Sequence, residues 1–261
     1  MKNKIKIILA LSVYNSYQNL ENIFIDIQKS PFNSVIKKII IIDNDSIMNI
    51  NKKINLIKSL SKKYKKEINL IVNYKNYGLG GSQKILFKIL KKENFTYLIN
   101  AHTSGRYKII NQLKFINKAT KYEYIQASRF LKKSDSKNYS LLRKIFNYIF
   151  INITIFTTKC KLSDPGCAIY MISKKLLLKI MPTINDLTNN SHFNHLMNVV
   201  IYKHNPSIYV YPITWNVGLV KSHLRPVNYV AQLFFSLISY YFNKKFNKIK
   251  IINYKFKTYK F

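Results

Sequence analysis

The sequence predicts a mixed α/β fold in which helices flank a mostly parallel central sheet. Three features carry that expectation. Short strand-like runs alternate with helix-like runs through the first half of the chain, as parallel strands require, since each crossover needs a helix. One run holds Ile39, Ile40, Ile41 and Ile42 in succession, so both faces of that strand must be buried. Glycine and polar residues gather just after the strand-like runs, where open α/β sheets bind their ligands.

Strands are expected over residues 5–13, 38–43, 68–73, 96–101 and 124–128, and helices over 20–28, 52–65, 80–92 and 109–120. Lysines precede the first run, as in a signal peptide. That run is short, however, and Tyr14-Asn15 follows it in place of a small-residue cleavage site, so it reads as a strand. Beyond residue 140 the pattern changes to a long helix over 141–157, a turn at Ser163-Asp164-Pro165-Gly166 and a short strand over 168–172. Helices over 174–180 and 192–202, a strand over 207–211 and a last helix over 227–243 follow. The tail, 244–261, is basic and aromatic. The apolar stretches at 145–156 and 227–242 are shorter than the ~18–20 residues that span a bilayer, and read as buried or interfacial helices. The chain thus divides into an α/β domain, 1–226, and a C-terminal amphipathic helix with a basic tail, 227–261.

Hydrophobic residues make up 48% of the 261, enough for a sizeable core, and 44 basic against 10 acidic residues give a formal charge of +34. Such an excess points to an anionic partner: lipid, nucleic acid or a small substrate. Only four of the 44 are arginine (Arg106, Arg129, Arg143 and Arg225). Nucleic-acid readers favour Arg for bidentate base contacts, and the chain lacks the aromatic-glycine signature of an RNA-binding sheet. Nucleic acid is therefore set aside, and an anionic membrane surface is the expected partner. The two cysteines, Cys160 and Cys167, form no CxxC pair, which argues against structural zinc or a disulfide framework and for a reduced cytoplasmic setting.

The expected strand ends read Tyr14-Asn15-Ser16, Asp43-Asn44-Asp45-Ser46, Asn76-Tyr77-Gly78-Leu79-Gly80-Gly81, Ala101-His102-Thr103-Ser104-Gly105-Arg106 and Ser128-Arg129-Phe130. Carboxylates such as Asp43 accept hydrogen bonds from a base edge or a ribose. Gly78, Gly80 and Gly81 either admit a ligand to the backbone at a helix start or make a plain tight turn before it. Arg129 suits a phosphate or a structural carboxylate. Asp164 suits an acceptor or the holding of its own turn.

In this order the segments resemble the family-2 glycosyltransferases of GT-A fold, in particular the polyprenol-phosphate sugar transferase branch. The family's PxYNE strand end is similar to Ser12-Val13-Tyr14-Asn15-Ser16, and its VDDGS to Ile42-Asp43-Asn44-Asp45-Ser46. Its NxGxGGA is similar to Asn76-Tyr77-Gly78-Leu79-Gly80-Gly81-Ser82, and its GSR to Ala127-Ser128-Arg129. Its D-x-x-[SC]-G-[FL] is similar to Asp164-Pro165-Gly166-Cys167-Ala168-Ile169, and its late basic G-x-S-K/R loop to the stretch from Gly218 to Arg225. The resemblance implies transfer of a sugar, with inversion, from a nucleotide-sugar donor to a lipid-linked (polyprenyl-phosphate) or envelope-glycan acceptor. Donor contacts implied are Tyr14, Asn15, Asp43, Asp45, Gly78, Gly80, Gly81, His102 and Ser104, with Ser222 and Arg225 in a loop closing over the phosphates. The implied catalytic set is Arg106 and Arg129 at the diphosphate and Asp164 on the acceptor side.

The chain departs from the family at the fourth strand end. There the family's Asp-x-Asp, or its HGDGQY variant, holds Mg²⁺ or Mn²⁺. His102, Gly105 and Tyr107 fit the variant, but Ser104 replaces the aspartate and Arg106 the glutamine, and no carboxylate lies between Glu93 and Glu123. Hard divalent cations prefer charged oxygen ligands, so no residue is assigned to a metal. Two readings stay open: Arg106 and other cations stabilise the diphosphate in the metal's place, or the chain is a catalytically degenerate homologue that binds a nucleotide-sugar or scaffolds a partner. Candidates for a general base are few: Asp164, Asp186, and His192 or His195, histidines otherwise read as lying on a helix surface. A lipid phosphate is already an anionic nucleophile, so this scarcity favours that acceptor. Val230, Leu233, Phe234, Leu237, Ile238 and Tyr241 share one face of the last helix, and the lysine-rich tail follows. The expected location is therefore peripheral, on the inner face of the cytoplasmic membrane.

Overall fold

The computed structural model describes residues 5–137, 139–216, 226–243, 246 and 252–261. Its strands are β1 (Ile7–Val13), β2 (Ile36–Asp43), β3 (Glu67–Asn73), β4 (Tyr97–His102), β5 (Tyr124–Ser128), β6 (Asp135–Lys137), β7 (Tyr170–Ser173), β8 (Ile208–Pro212), β9 (Thr214–Asn216) and β10 (Phe256–Lys260). Its α-helices are α1 (Leu20–Lys29), α2 (Ile50–Tyr64), α3 (Gly78–Leu90), α4 (Ile109–Leu113), α5 (Leu141–Thr158), α6 (Lys174–Asn185), α7 (Phe193–Lys203) and α8 (Pro226–Asn243). Eight strands make one sheet in the order β10-β3-β2-β1-β4-β7-β5-β8, and β6 pairs with β9 apart from it.

The four isoleucines of β2 do what a doubly covered strand requires. Ile39 and Ile41 point to the layer containing α1, α2 and α4, where Phe24, Ile57 and Leu113 meet them. Ile40 and Ile42 point to the opposite layer, with Leu86 of α3, Leu177 of α6, Met197 of α7 and Leu233 of α8. β1 alternates in the same way, with Leu9 and Leu11 on one face and Ile8 and Ala10 on the other. β1, β2, β3 and β4 are mutually parallel, whereas β7 runs antiparallel between β4 and β5.

Two parts of the sequence reading change. The helix expected over 109–120 is one α-helical turn and a half followed by a 3₁₀ segment, Lys114–Lys118. The basic tail ends as a strand: β10 pairs antiparallel with β3 and closes that edge of the sheet. Phe256 packs against one layer and Tyr259 against the other, while Lys257, Thr258 and Lys260 stay exposed, as an edge strand allows. Among the described residues no helix is long and apolar enough to cross a membrane.

Candidate active site

β1 is flanked by β2 on one side and β4 on the other, so the direction in which the chain adds strands reverses there. At this switch point the carboxyl ends of β1, β2 and β4 open into a cleft of about 420 Å³. Ser12, Val13, Tyr14, Ile42, Asn44 and His102 form its floor. Asn76, Gly78, Leu79 and Ser82 make one wall, and Asn190, Ser191 and three residues of α8 (Asn228, Tyr229 and Gln232) the other. None of these residues carries a carboxylate, ammonium or guanidinium group. In a chain of formal charge +34, the described cleft is lined by amides, hydroxyls, rings and backbone.

Of the residues singled out in the sequence, Tyr14, Gly78 and His102 line this cleft directly. Asn15 has positive φ and staples two strand ends together: its N–H donates to Ser46 Oγ (2.9 Å) and its Oδ1 accepts from Ile47 N–H (2.9 Å). Asp43 lies beneath the cleft and is fully buried. Its Oδ1 accepts from Ser46 N–H (2.9 Å) and its Oδ2 meets Lys53 Nζ at 2.6 Å. Asp45, with φ of 67°, is exposed on the loop beyond, and Ser104 is half-buried after β4. Ser222 and Arg225 fall outside the described residues.

The glycine run is filled by the chain itself. The N–H groups of Gly80 and Gly81, at the start of α3, both donate to Asn189 O (2.9 and 3.3 Å). A Cβ on Gly80 would lie 2.4 Å from Thr188 O and 2.8 Å from Phe193, and one on Gly78 2.4 Å from Asn189 O. Close backbone approach is therefore what these glycines permit, but the approaching backbone belongs to residues 188–190 rather than to a phosphate. The buried Lys84 reinforces the contact by donating to Leu187 O and to Asn189 Oδ1. Burial pushes that amine down to about 8.

Two of the three residues expected to be catalytic, Arg129 and Asp164, are paired with each other. Arg129 donates from Nε and Nη2 to the two oxygens of Asp164, both at 2.7 Å, and its backbone N–H adds a third bond at 2.9 Å. Burial opposes the guanidinium charge, but the Asp164 carboxylate outweighs it and holds Arg129 protonated. Asp164 is buried and its turn is tied by Gln126 Nε2 to Asp164 O (2.7 Å). It therefore holds the loop and the arginine, the structural alternative for each. Arg106 sits near this pair: burial, then the fields of Arg143 and Arg129, lower its pKa. Three of the four arginines thus share one electrostatic neighbourhood, balanced locally by Asp164. Tyr229 joins the two regions. It lines the cleft, and its hydroxyl, like Arg129 Nη2, lies 3.6 Å from the position a Cβ on Gly166 would take.

The histidines lie inside, not on a helix surface. His195 is buried with Nε2 2.6 Å from Thr154 Oγ1, and burial pushes it down to about 3. His192 is buried against the Tyr229 ring and pushed down to about 4. Burial and then Arg106 hold His102 at about 4, so all three are neutral at pH 7. The donor set does not fit a divalent cation: the β4 end supplies no carboxylate, Asp43 is occupied by Lys53, and Arg106 adds positive charge beside His102. Among the described residues no three of His, Cys, Asp and Glu come together as a metal site.

Sequence reading assigned no role to Asn44, Asn76, Asn190, Asn228 and Gln232, which supply all the amide side chains of the lining. Asn44 is the hub of the first wall: its Oδ1 accepts from Asn73 Nδ2 and Tyr77 N–H, and its Nδ2 donates to Asn76 Oδ1 (2.8 Å). Its position between two aspartates drew attention to the neighbours instead. Asn190 Nδ2 donates to Gln232 Oε1 at 3.0 Å across the opposite wall.

No protein-family model and no curated protein matches the chain. Solved structures do. Glucosyl-3-phosphoglycerate synthase from Mycobacterium tuberculosis, in complex with Mn²⁺ and UDP-Glc, aligns over 99% of this chain and 88% of its own, at 10% identity and a TM-score of 0.56. S. aureus TarS (residues 1–349) aligns over 92% of this chain and 73% of its own, at 12% identity and a TM-score of 0.53. A mannosyltransferase from Pyrobaculum calidifontis, in complex with GDP-Man and Mn²⁺, aligns over 93% of this chain and 64% of its own, at 9% identity and a TM-score of 0.54.

Proposed function

We propose, from the GT-A glycosyltransferase fold that the chain shares with these structures, that it transfers a sugar from a nucleotide-sugar to a lipid-linked or envelope-glycan acceptor at a membrane surface. The observation that carries the proposal is the cleft at the β1–β4 switch point, walled by Gly78 and α8. The nucleoside lies over Asn44 and Asn76, whose amides both donate and accept. The diphosphate extends toward His102 and Arg106. Positive charge there does the electrostatic work of a cation as the leaving group separates. Transfer proceeds with inversion, and a phosphate acceptor attacks without a protein base, since Asp164 is committed to Arg129.

A second reading is favoured by one specific observation. The cleft lining is uncharged and the Arg129–Asp164 pair is closed on itself, as in a homologue that binds a nucleotide-sugar, or scaffolds a partner, without turnover. A thermal-shift panel of UDP-, GDP-, CMP- and dTDP-sugars, each with Mn²⁺ and with EDTA, tests binding. A ligand at about 100 times its Kd adds about 2.7 kcal/mol. The proposal expects a shift with one nucleotide that persists in EDTA, and turnover that falls ~10²–10³-fold in Arg106→Ala. Binding without turnover selects the second reading, and no shift with any nucleotide sinks the transferase proposal and leaves only the scaffolding role.

A further inference from the structure

The helix pair α5–α8 presents an apolar surface that stands exposed among the described residues. α5 buries Ile151, Thr154 and Thr158 on its inner side. On its outer side Leu142, Ile145, Ile149 and Phe156 recur at intervals of three, four and seven, a helical stripe interrupted by Asn152. Ile145 and Ile149 are 47% and 46% exposed and Phe156 62%. An amphipathic helix of a water-facing protein places its polar residues on that side. α8 repeats the arrangement: Leu233 and Leu237 are buried, while Phe235 and Phe242 point outward at 68% and 74% exposure. The Phe156 ring stacks on Tyr241 with centroids 5.9 Å apart, so the two stripes form one surface.

The charges around this surface have one sign. α8 carries no charged residue, and α5 carries only Arg143 and Lys144, in its first turn. At the other end of α5, Lys159 lies over the Phe156 ring, and Lys161 and Lys203 join it around a small polar recess. The chain beyond Asp135 contains only two acids. One is Asp164, buried against Arg129, and the other is Asp186, in the field of Lys84.

We propose that the outer face of α5 and α8 is a docking surface for an anionic lipid bilayer, with both helices lying in the plane of the interface. A second copy of the chain would bring lysines against lysines at the rim, whereas anionic headgroups complement them. Each helix is 18 residues long, about 27 Å, and is amphipathic rather than apolar all round, the form suited to lying at the headgroup–acyl boundary. The placement moves membrane contact from the basic tail, whose last residues are β10, to α5. It rests on the reading of a membrane-linked acceptor and deepens it. Arg143, in the first turn of the docked helix, is in the field of Arg106, so docking brings the arginine neighbourhood to headgroup level.

Vesicle flotation of the full chain tests the proposal, with phosphatidylglycerol-containing and pure phosphatidylcholine vesicles. Flotation with the anionic vesicles is expected, weakening about tenfold in neutral ones. The double variants Ile145→Ser/Ile149→Ser and Phe235→Ser/Phe242→Ser should each weaken binding about tenfold or more while retaining the native circular dichroism melt. Absence of flotation overturns the proposal, as does binding that both double variants preserve. A dimer in light scattering that the same variants dissociate, without flotation, assigns the face to a second copy and also overturns it. The nucleotide thermal shift, measured in parallel without vesicles, separates failure of docking from failure of the donor site.

Discussion

Asp43, at the end of β2, and Asp164, in the loop before β7, are both fully buried carboxylates with one basic partner each, yet they brace the site differently. Asp43 works locally. Lys53 lies ten residues away on α2 and also donates to Ser46 O (2.9 Å), so carboxylate, loop and lysine form one strand–turn–helix unit. Asp164 works at long range. Arg129 lies 35 residues away on the loop after β5, and the rings of Phe130, Tyr139 and Trp215 surround its guanidinium. Asn198 of α7 donates to Pro165 O (2.8 Å) and ties the same loop from behind. A flexible ammonium serves the first brace, whereas a rigid two-pronged donor fixes the geometry of the second. Asp43 is thus braced by contacts near in sequence. Asp164 is braced across distant segments, and its charge is met there by one joint, to Arg129.

Removing that joint gives the largest expected effect. Asp164→Ala leaves Arg129 buried without its counter-charge and should cost about 3–5 kcal/mol in urea unfolding. Asp43→Ala should cost less, about 1–3 kcal/mol, because Lys53 keeps its bond to Ser46 O and its ammonium sits on a flexible stem. Equal costs would break the comparison and place both aspartates in the same role.

The same contrast explains what the sequence made legible. The sheet was readable because period and burial are local: Ile39 to Ile42 announce a doubly covered strand without knowledge of its neighbours. The order of motifs pointed to the strand ends, where a cleft opens and Tyr14, Gly78 and His102 line it. What fills Gly80 was not readable, because a glycine at a helix start is equally demanded by a ligand and by a crossing backbone such as Asn189 O. The partner of Arg129 was open for the same reason: two segments 35 residues apart meet only after folding. The strand at 256–260 was hidden by its lysines, which on an edge need no burial. The apolar face of α5 was seen as a run, but only packing decides which side of it stays outside.

Two glycines sharpen the comparison with a smaller effect. Gly80 and Gly166 both belong to motifs of the site, one on each side of it. A Cβ at Gly80 meets Thr188 O at 2.4 Å and Phe193 at 2.8 Å, so Gly80→Ala should cost about 1–3 kcal/mol through overpacking. A Cβ at Gly166 meets Arg129 Nη2 and the Tyr229 hydroxyl at 3.6 Å, ordinary contact, so Gly166→Ala should stay within about 0.5 kcal/mol. Thermal melts of the two variants check the difference. A neutral Gly80→Ala would mean that residues 188–190 move aside freely, and would reopen the start of α3 to a ligand.

The smallest effect concerns acid. Beside the Asp43 brace His102 ends β4 and is kept at about 4 by burial and Arg106, whereas the support behind Asp164 contains His195, bonded to Thr154 of α5 and pushed lower still. Burial pushes the folded pKa of His195 to about 3, below its ordinary 6.5. The unfolded chain therefore binds a proton that the native chain refuses. The stabilisation is complete above pH 6.5 and is lost as pH falls toward 3. Between pH 7 and about pH 5.5 this one group should remove about 1 kcal/mol. His195→Gln, which keeps a polar partner for Thr154 without titrating, should lose about that much less than the wild type over the same interval in urea unfolding. Because α5 and α7 share this contact, their amides should lose hydrogen-exchange protection on mild acidification before those of β1 to β3 do. Simultaneous loss across the sheet would show that the two halves of the site unfold as one unit and that the local brace confers no independence.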